Sequence, residues 1–419
     1  MKIRSEWDTL KEVMMHRPGI EIEYAMLSPR PFLFERPFRT SVAIKEHMNL
    51  QETLEKNGVK VRILKEEVVS KADENRAFRK ALEDKIVNMV SFYGSVESSR
   101  AAKEQLKKNV SMFDSSTLFY TLTLEPSIDL KKENGNSVEY PTIYSNIPLA
   151  NLYFMRDQQA VSSGGVIIGN MKRRQRIKEP DITEFIFRNA FGEDNLVRIS
   201  GKGLFEGGDF IPAGTFCIIG VGTRTNMEGA MQAMNSGLVN FDEVCLVENP
   251  VYDFLEEDRD PMVNMHLDTF FNIAADGVAV TSVELCRKAK AIIFGKSGNE
   301  YVKTIETTLF EYLKGKNFNF VNLSIAEQMS YSSNFLTLKN GTIVAVNAPI
   351  VLKKLLNLGV FPDNLQTAIK QELTSVEEKN LFPFSKQVKE NGIEIIVVNL
   401  SELTGGYGGA HCMTAALKR

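Results

Sequence analysis

The sequence of 419 residues has only four cysteines, four histidines and one tryptophan, and each scarcity excludes something. Cys217, Cys245, Cys286 and Cys412 are far apart and form no CxxC pair, so neither a zinc ribbon nor a small disulfide framework is encoded. Reduced thiols are expected, as in a cytoplasmic protein. No run of about 18 apolar residues is present, so no membrane-spanning helix is expected. The opening residues "MKIRSEWDTLKEV" contain no apolar segment of signal-peptide length. Neither sign of charge dominates: 50 Lys and Arg against 53 Asp and Glu leave a formal charge of −3. A nucleic-acid partner is therefore not expected. The short basic stretch "MKRRQRIK" (171–178) reads as a solvated helix face.

What is present is ordinary globular composition, 43% hydrophobic and 25% charged, in a chain long enough for one large domain or two of usual size. One pattern recurs. A glycine leads into a short run of β-branched and apolar residues in "GGVIIG" (164–169), "GTFCIIGVG" (214–222), "DGVAVTS" (276–282) and "NGTIVAVN" (340–347). Each reads as a turn opening a buried strand. Stretches of helical spacing follow, and then second strands such as "EVCLVE" (243–248), "AKAIIFG" (289–295) and "IEIIVVNL" (393–400). The first residues fit the same scheme: strand and turn in "LKEVMMHRPG" (10–19), an amphipathic helix in "AIKEHMNLQETLEKNG" (43–58) closed by Asn57–Gly58, and a returning strand in "VKVRIL" (59–64). This gives five divergent strand–helix–strand units, as a closed ring of similar α/β modules would. Residues 66–120 have helical periodicity and few strand signals, and read as a helical insertion. "KKENGNSVEYPT" (131–142) reads as a polar loop leading out of it.

Charged residues among glycines and apolar residues mark a candidate site. "NLYFMRD" (151–157) ends on Asp157, "FEGGDF" (205–210) carries Glu206 and Asp209, and "MHLDTFF" (265–271) carries His266 and Asp268. In a strand, residues two apart share a face, so His266 and Asp268 are expected to point together, the carboxylate orienting the ring. The two glycines of "EGGD" suit close backbone approach to a ligand. "GGYGGAHCMT" (405–414) sets Cys412 beside His411 in glycine-rich backbone. Singly, each motif also fits a turn, a structural ion pair or an inert thiol. Together they describe a nucleophilic cysteine, a histidine and four carboxylates. That is more acid than a Cys–His peptidase needs, and it suits a planar cationic substrate held by paired carboxylates.

"LKEVMMHRPG", "NLYFMRD", "EGGDF", "GTRT" (222–225), "MHLDT" and "GGAHCMT", in this order, resemble the arginine deiminases of the guanidine-modifying superfamily. The resemblance implies a pentein-like α/β fold, a five-module α/β propeller with a helical insertion after the first module. The catalytic domain would span 1–65 and 121–419, with 66–120 as the insertion. It further implies hydrolysis of L-arginine to L-citrulline and ammonia, with no metal and no cofactor, in a homo-oligomer. Cys412 would be the nucleophile and His266 the general acid and base. Asp157 and Asp268 would hold the guanidinium, and Glu206 would support His266. Arg176, Arg224 and Asn151 would bind the substrate carboxylate end, and Asp209, Gly406 and His411 would complete the substrate site. Gln158 and Tyr407 depart from the family pattern, the first where proline usually follows the Arg–Asp pair and the second in the loop before Gly408. The alternatives are amidino transfer, hydrolysis of agmatine or of a methylated arginine, and a non-catalytic arginine sensor. A substrate without a carboxylate would leave Arg176 and Arg224 without a role.

Overall fold

The computed structural model describes residues 1–132, 139–253, 264–374 and 380–419 of the chain. Five sheets repeat one arrangement: a central strand with an antiparallel neighbour on one side and a parallel neighbour on the other. The central strands are Glu12–Met15, Val166–Ile168, Phe216–Val221, Val278–Thr281 and Thr342–Val346. Their antiparallel neighbours are Ala415–Lys418, Gln159–Val161, Phe210–Ala213, Phe271–Ala275 and Leu336–Lys339. Their parallel neighbours are Lys60–Ile63, Leu196–Arg198, Glu243–Glu248, Asn319–Asn322 and Glu394–Val398. A parallel return needs a crossover, and helices such as Thr40–Lys56, Glu179–Asn189 and Met227–Asn235 supply it. The glycine-led runs are these central strands. They are buried on both faces, as their unbroken β-branched composition requires.

The first sheet is closed by the segment beyond Cys412: Ala415–Lys418 pairs with Glu12–Met15, which fixes the glycine-rich stretch from its far side. The Thr40–Lys56 helix ends at Asn57, and Gly58 follows at φ +79°, where a side chain would be strained.

Three expectations are corrected. "AKAIIFG" does not return beside Val278–Thr281. Strand Lys290–Ser297 instead pairs antiparallel with Glu243–Glu248, and Glu300–Thr308 extends that third sheet to five strands. The connecting helix Val283–Lys288 has six residues, too few for a parallel crossover, so the chain passes to the neighbouring sheet. The described ends of the stretch read as a polar loop are strand: Pro126–Lys132 pairs with Glu139–Ser145, its alternating apolar and polar residues fitting an exposed ladder, and 133–138 lie outside the described residues. "MKRRQRIK" is turn, not helix; the helix starts at Glu179, and Arg176 points inward.

Between 64 and 124 lie four helices, Leu64–Glu74, Arg76–Met89, Val96–Asn109 and Ser115–Leu124. A three-residue strand, Ser91–Tyr93, joins Pro126–Lys132 in a small separate sheet. No described helix is long and apolar enough to cross a membrane. Cys217, Cys245 and Cys286 are buried, and burial pushes all three thiols up.

Candidate active site

Cys412 lies in turns between the 3-10 helix Leu403–Gly406 and strand Ala415–Lys418, and is 2% exposed. Asn334 holds this loop. Its Oδ1 accepts from the backbone N–H groups of Gly409 (2.8 Å) and Cys412 (3.0 Å), and its Nδ2 donates to Cys412 Sγ at 3.0 Å. The clamp explains the glycines. A Cβ at Gly409 would lie 2.7 Å from the Asn334 carbonyl, and one at Gly408 would lie 2.9 Å from Cys412 Cβ. The loop closes on itself and on Asn334. Replacing Asn334 by Ala is expected to leave KM near wild type and lower kcat about 10- to 100-fold, the equivalent of one or two buried hydrogen bonds at the Cys412 loop. Steady-state kinetics check this.

The Cys412 thiol donates to Asp268 Oδ2 at 3.3 Å, and His411 Nδ1 bonds the same oxygen at 2.8 Å. Asp268 Oδ1 is buried without a protein partner. Across the site, Asp157 has the same asymmetry: Arg176 Nη1 donates to Oδ2 at 2.6 Å, and Oδ1 has no hydrogen bond, with His266 Nδ1 3.8 Å away. Two buried carboxylates therefore each keep one oxygen for an outside donor, and the sulfur lies beside one of them.

His266 reaches this site from the start of a 3-10 turn, Leu267–Thr269, not from a strand. In such a turn residues two apart are rotated well away from one another, so the expected His266–Asp268 pair does not form. The partner of His266 is Glu206: Nε2 and Oε2 are 2.8 Å apart, and Nδ1 faces Asp157 Oδ1 at 3.8 Å. Burial disfavours a charged ring, but Asp157 and the Glu206 hydrogen bond outweigh it and push His266 up to about 9. Burial likewise raises Glu206, yet the contact with His266 brings it down to about 2. The Cys412 thiol is pushed well above its usual range, first by burial and then by the charges of Asp268 and Asp157.

The two glycines of "EGGD" serve the protein's own packing. A Cβ at Gly207 would meet the Arg156 and Gln159 carbonyls at 2.2 Å, and one at Gly208 would meet His266 Nδ1 at 2.8 Å. Asp209, expected at the substrate, sits beneath the His266 turn. Its Oδ1 accepts from Leu267 N–H and Asn249 Nδ2, both at 2.9 Å, so it holds the turn. Burial pushes its carboxyl up to about 6. Arg176 borders the cleft, with Nε and Nη2 donating to Glu179 (3.0 and 2.9 Å) and Nη1 to Asp157. Asn151, whose carbonyl accepts from Arg176 Nη2 at 3.4 Å, donates from Nδ2 to the Phe32 carbonyl at 2.8 Å.

The cleft above the sulfur is lined by Asn151, Asp157, Arg176, Arg224, Gly406 and Cys412, and walled by Leu33, Phe154, Met265 and Tyr407. It is narrow, leaving ≈ 10 Å³ for the centre of a water molecule, about one water's worth. His266, Asp268, Glu206 and His411 lie deeper, all buried. Sequence reading missed Asn334, Glu179 and the apolar wall. Asn334 ends the "AEQMSYSSN" stretch (326–334), which also resembles the family. Among the described residues no group of three His, Cys, Asp or Glu side chains is arranged to hold a metal ion.

The family model described as arginine deiminase matches residues 30–419. An arginine deiminase of Halobacterium salinarum is 25% identical, covering 99% of this chain and 96% of its own length. One of Lactococcus lactis is 26% identical over 100% of this chain and 98% of its own. Among solved structures, the N-terminal domain of ArgZ, a cyanobacterial arginine dihydrolase bound to substrate, superposes with a TM-score of 0.51 at 11% identity. It covers 97% of this chain and 98% of that one. AgrE in complex with L-arginine gives 0.52 at 11% identity, over 98% of this chain and 40% of that longer one. At such identity the two structures speak for the mixed α/β fold.

Proposed function

The chain belongs to the arginine deiminase family and is an enzyme acting on arginine, and from that premise we propose that it hydrolyses L-arginine to L-citrulline and ammonia through a covalent intermediate on Cys412. The observation that carries the reading is the pair of half-satisfied buried carboxylates, Asp157 and Asp268, flanking a sulfur 3.3 Å from one of them. A guanidinium between them would satisfy both oxygens with fork-like hydrogen bonds and bring its central carbon to Sγ.

The thiol is protonated at rest, and an arriving cation favours its ionisation by balancing Asp157 and Asp268, the proton passing to solvent. Asn334 Nδ2, already 3.0 Å from Sγ, stabilises the thiolate. Sulfur attack forms a C–S bond and a tetrahedral adduct. His266, charged at neutral pH, gives its proton to a terminal nitrogen, and the C–N bond breaks to release ammonia. The neutral ring then takes a proton from water, whose oxygen attacks the thiouronium carbon. The C–S bond breaks, citrulline leaves after losing the proton of its new carbonyl oxygen, and the thiolate takes up a proton to restore the resting thiol. Glu206, bonded to His266, steadies both charge states of the ring.

Arg224 and Asn151 at the cleft suit the substrate carboxylate, while Arg176 keeps Asp157 aimed. Leu33 and Tyr407 wall the narrow cleft that arginine would enter. We read the five repeated sheets as modules of an α/β propeller, with 66–120 as an insertion into the catalytic domain of 1–65 and 121–419. Incubation with L-arginine should yield citrulline and ammonia in equal amounts. Ammonia-free consumption of arginine, or no turnover by folded protein, would reject the reading.

A further inference from the structure

Glu6 belongs to no motif considered so far, yet it is 1% exposed and faces the active site from behind. Backbone pairing puts it there: Ser5 bridges Ala213, and the Glu6 N–H donates to the Pro212 carbonyl at 3.0 Å. Two arginines hold its carboxylate. Arg419 Nη2 donates to Oε2 at 2.6 Å, and Arg156 Nη1 to Oε1 at 3.3 Å. The Arg419 side chain is 1% exposed and donates to the Thr337 and Asp8 carbonyls at 2.8 and 3.1 Å.

Glu6 Oε1 also faces His411 Nε2 at 3.7 Å, and the other ring nitrogen bonds Asp268 at 2.8 Å. Asp268 in turn accepts the Cys412 thiol. A line of five buried groups thus runs from Arg419 through Glu6, His411 and Asp268 to Cys412. Arg156 braces it, with Nε 3.4 Å from the His411 carbonyl oxygen and its backbone N–H donating to the Cys412 carbonyl at 3.0 Å. Strand Ala415–Lys418 already has its ladder partner, so the Arg419 side chain is not needed to seat it. A buried carboxylate is costly without matching charge, and this one is matched by two cations directly behind the nucleophile.

We propose that Glu6 and Arg419 are positioning residues for arginine hydrolysis: they pin His411, which fixes Asp268 with one oxygen on the Cys412 thiol and the other toward the substrate. The proposal rests on the function argued above. Without the pin, the His411 ring and then Asp268 lose their fixed orientation, while the cleft lining of Arg224 and Asn151 stays in place.

The test uses the full chain with Glu6→Gln, Arg419→Met and Arg419→Lys. One readout is kcat and KM for arginine. The other needs no substrate: the pH dependence of Cys412 alkylation by iodoacetamide, quantified by peptide mass spectrometry. The charged groups facing the sulfur are Asp268 and Asp157, with Arg176 and His266 behind Asp157. Glu6→Gln and Arg419→Met are expected to lower kcat about 10- to 100-fold, as loss of an orienting outer partner does, with KM within about threefold. The alkylation midpoint should move to lower pH by about half a unit or more, because a carboxylate no longer held against the thiol raises its pKa less. Arg419→Lys should restore most of both, since an ammonium there still pairs with Glu6. Unchanged kcat and an unchanged alkylation profile in all variants, with only a lower melting temperature, would overturn the proposal. If Arg419→Met fails to fold, Glu6→Gln and Arg419→Lys carry the same comparison. If wild-type protein does not turn over arginine, the functional reading fails, and the alkylation profiles still decide the relay.

Discussion

Cys412→Ala is expected to abolish citrulline formation, by at least about 10⁴-fold, as removal of a nucleophile does, while arginine still binds. The other three thiols are buried in two strands of the third sheet and in the Val283–Lys288 helix, away from the cleft lining. No second sulfur can therefore take over. Binding should persist because Asp157, Arg224 and Asn151 do not depend on the sulfur, and Asp268 keeps its bond to His411 at 2.8 Å. Isothermal titration of the variant with arginine and a citrulline assay separate the two effects. Residual turnover near one hundredth of wild type would move the nucleophile elsewhere.

The second large effect is in pH. His266 is pushed up to about 9 against the cost of burial by Asp157 and the Glu206 hydrogen bond, so under the proposed mechanism it holds a proton for the leaving nitrogen throughout the neutral range. The rate should fall as pH rises through about 9 and the ring loses that proton. In Glu206→Gln the nearest negative charge is gone and burial weighs more, so the alkaline limb should move to lower pH by about one unit or more. The same shift bears on stability. A folded pKa near 9 against the ordinary 6.5 stabilises the fold fully below about pH 6.5, and that contribution is lost as pH rises through about 9. Wild type should therefore lose thermal stability over that window, and Glu206→Gln should show a flatter decline. Profiles of kcat and of melting temperature measured on both proteins check the pair of effects. An alkaline limb that stays in place in Glu206→Gln would remove His266 from the acid role.

The sequence made the local events legible. A glycine before "VIIG", "TFCIIGVG" or "TIVAVN" announces a turn into a buried strand, because both signals lie within a few residues. Partners far along the chain leave no such mark. Lys290–Ser297 reads like any apolar strand, and only the six-residue helix before it sends it to the third sheet. His266 and Asp268 were legible as site residues, but their spacing suggested a strand pair where a 3-10 turn separates them, and the carboxylate on His266 comes from 60 residues away. Arg176 is named through the family resemblance, which does not show that its guanidinium also meets the protein's own Asp157 and Glu179. Asn334 lies in a family-like stretch that gives it no role, and Glu6 lies in no motif. Their importance lies in the atoms they face.

The most direct test of covalent hydrolysis at Cys412 is rapid acid quenching of the enzyme during turnover of arginine, followed by intact-mass and peptide analysis. The account predicts a transient species heavier than the free enzyme by arginine less one ammonia, located on the peptide containing Cys412 and absent from Cys412→Ala. Full turnover with no such adduct at any quench time, or an adduct on another residue, would contradict it.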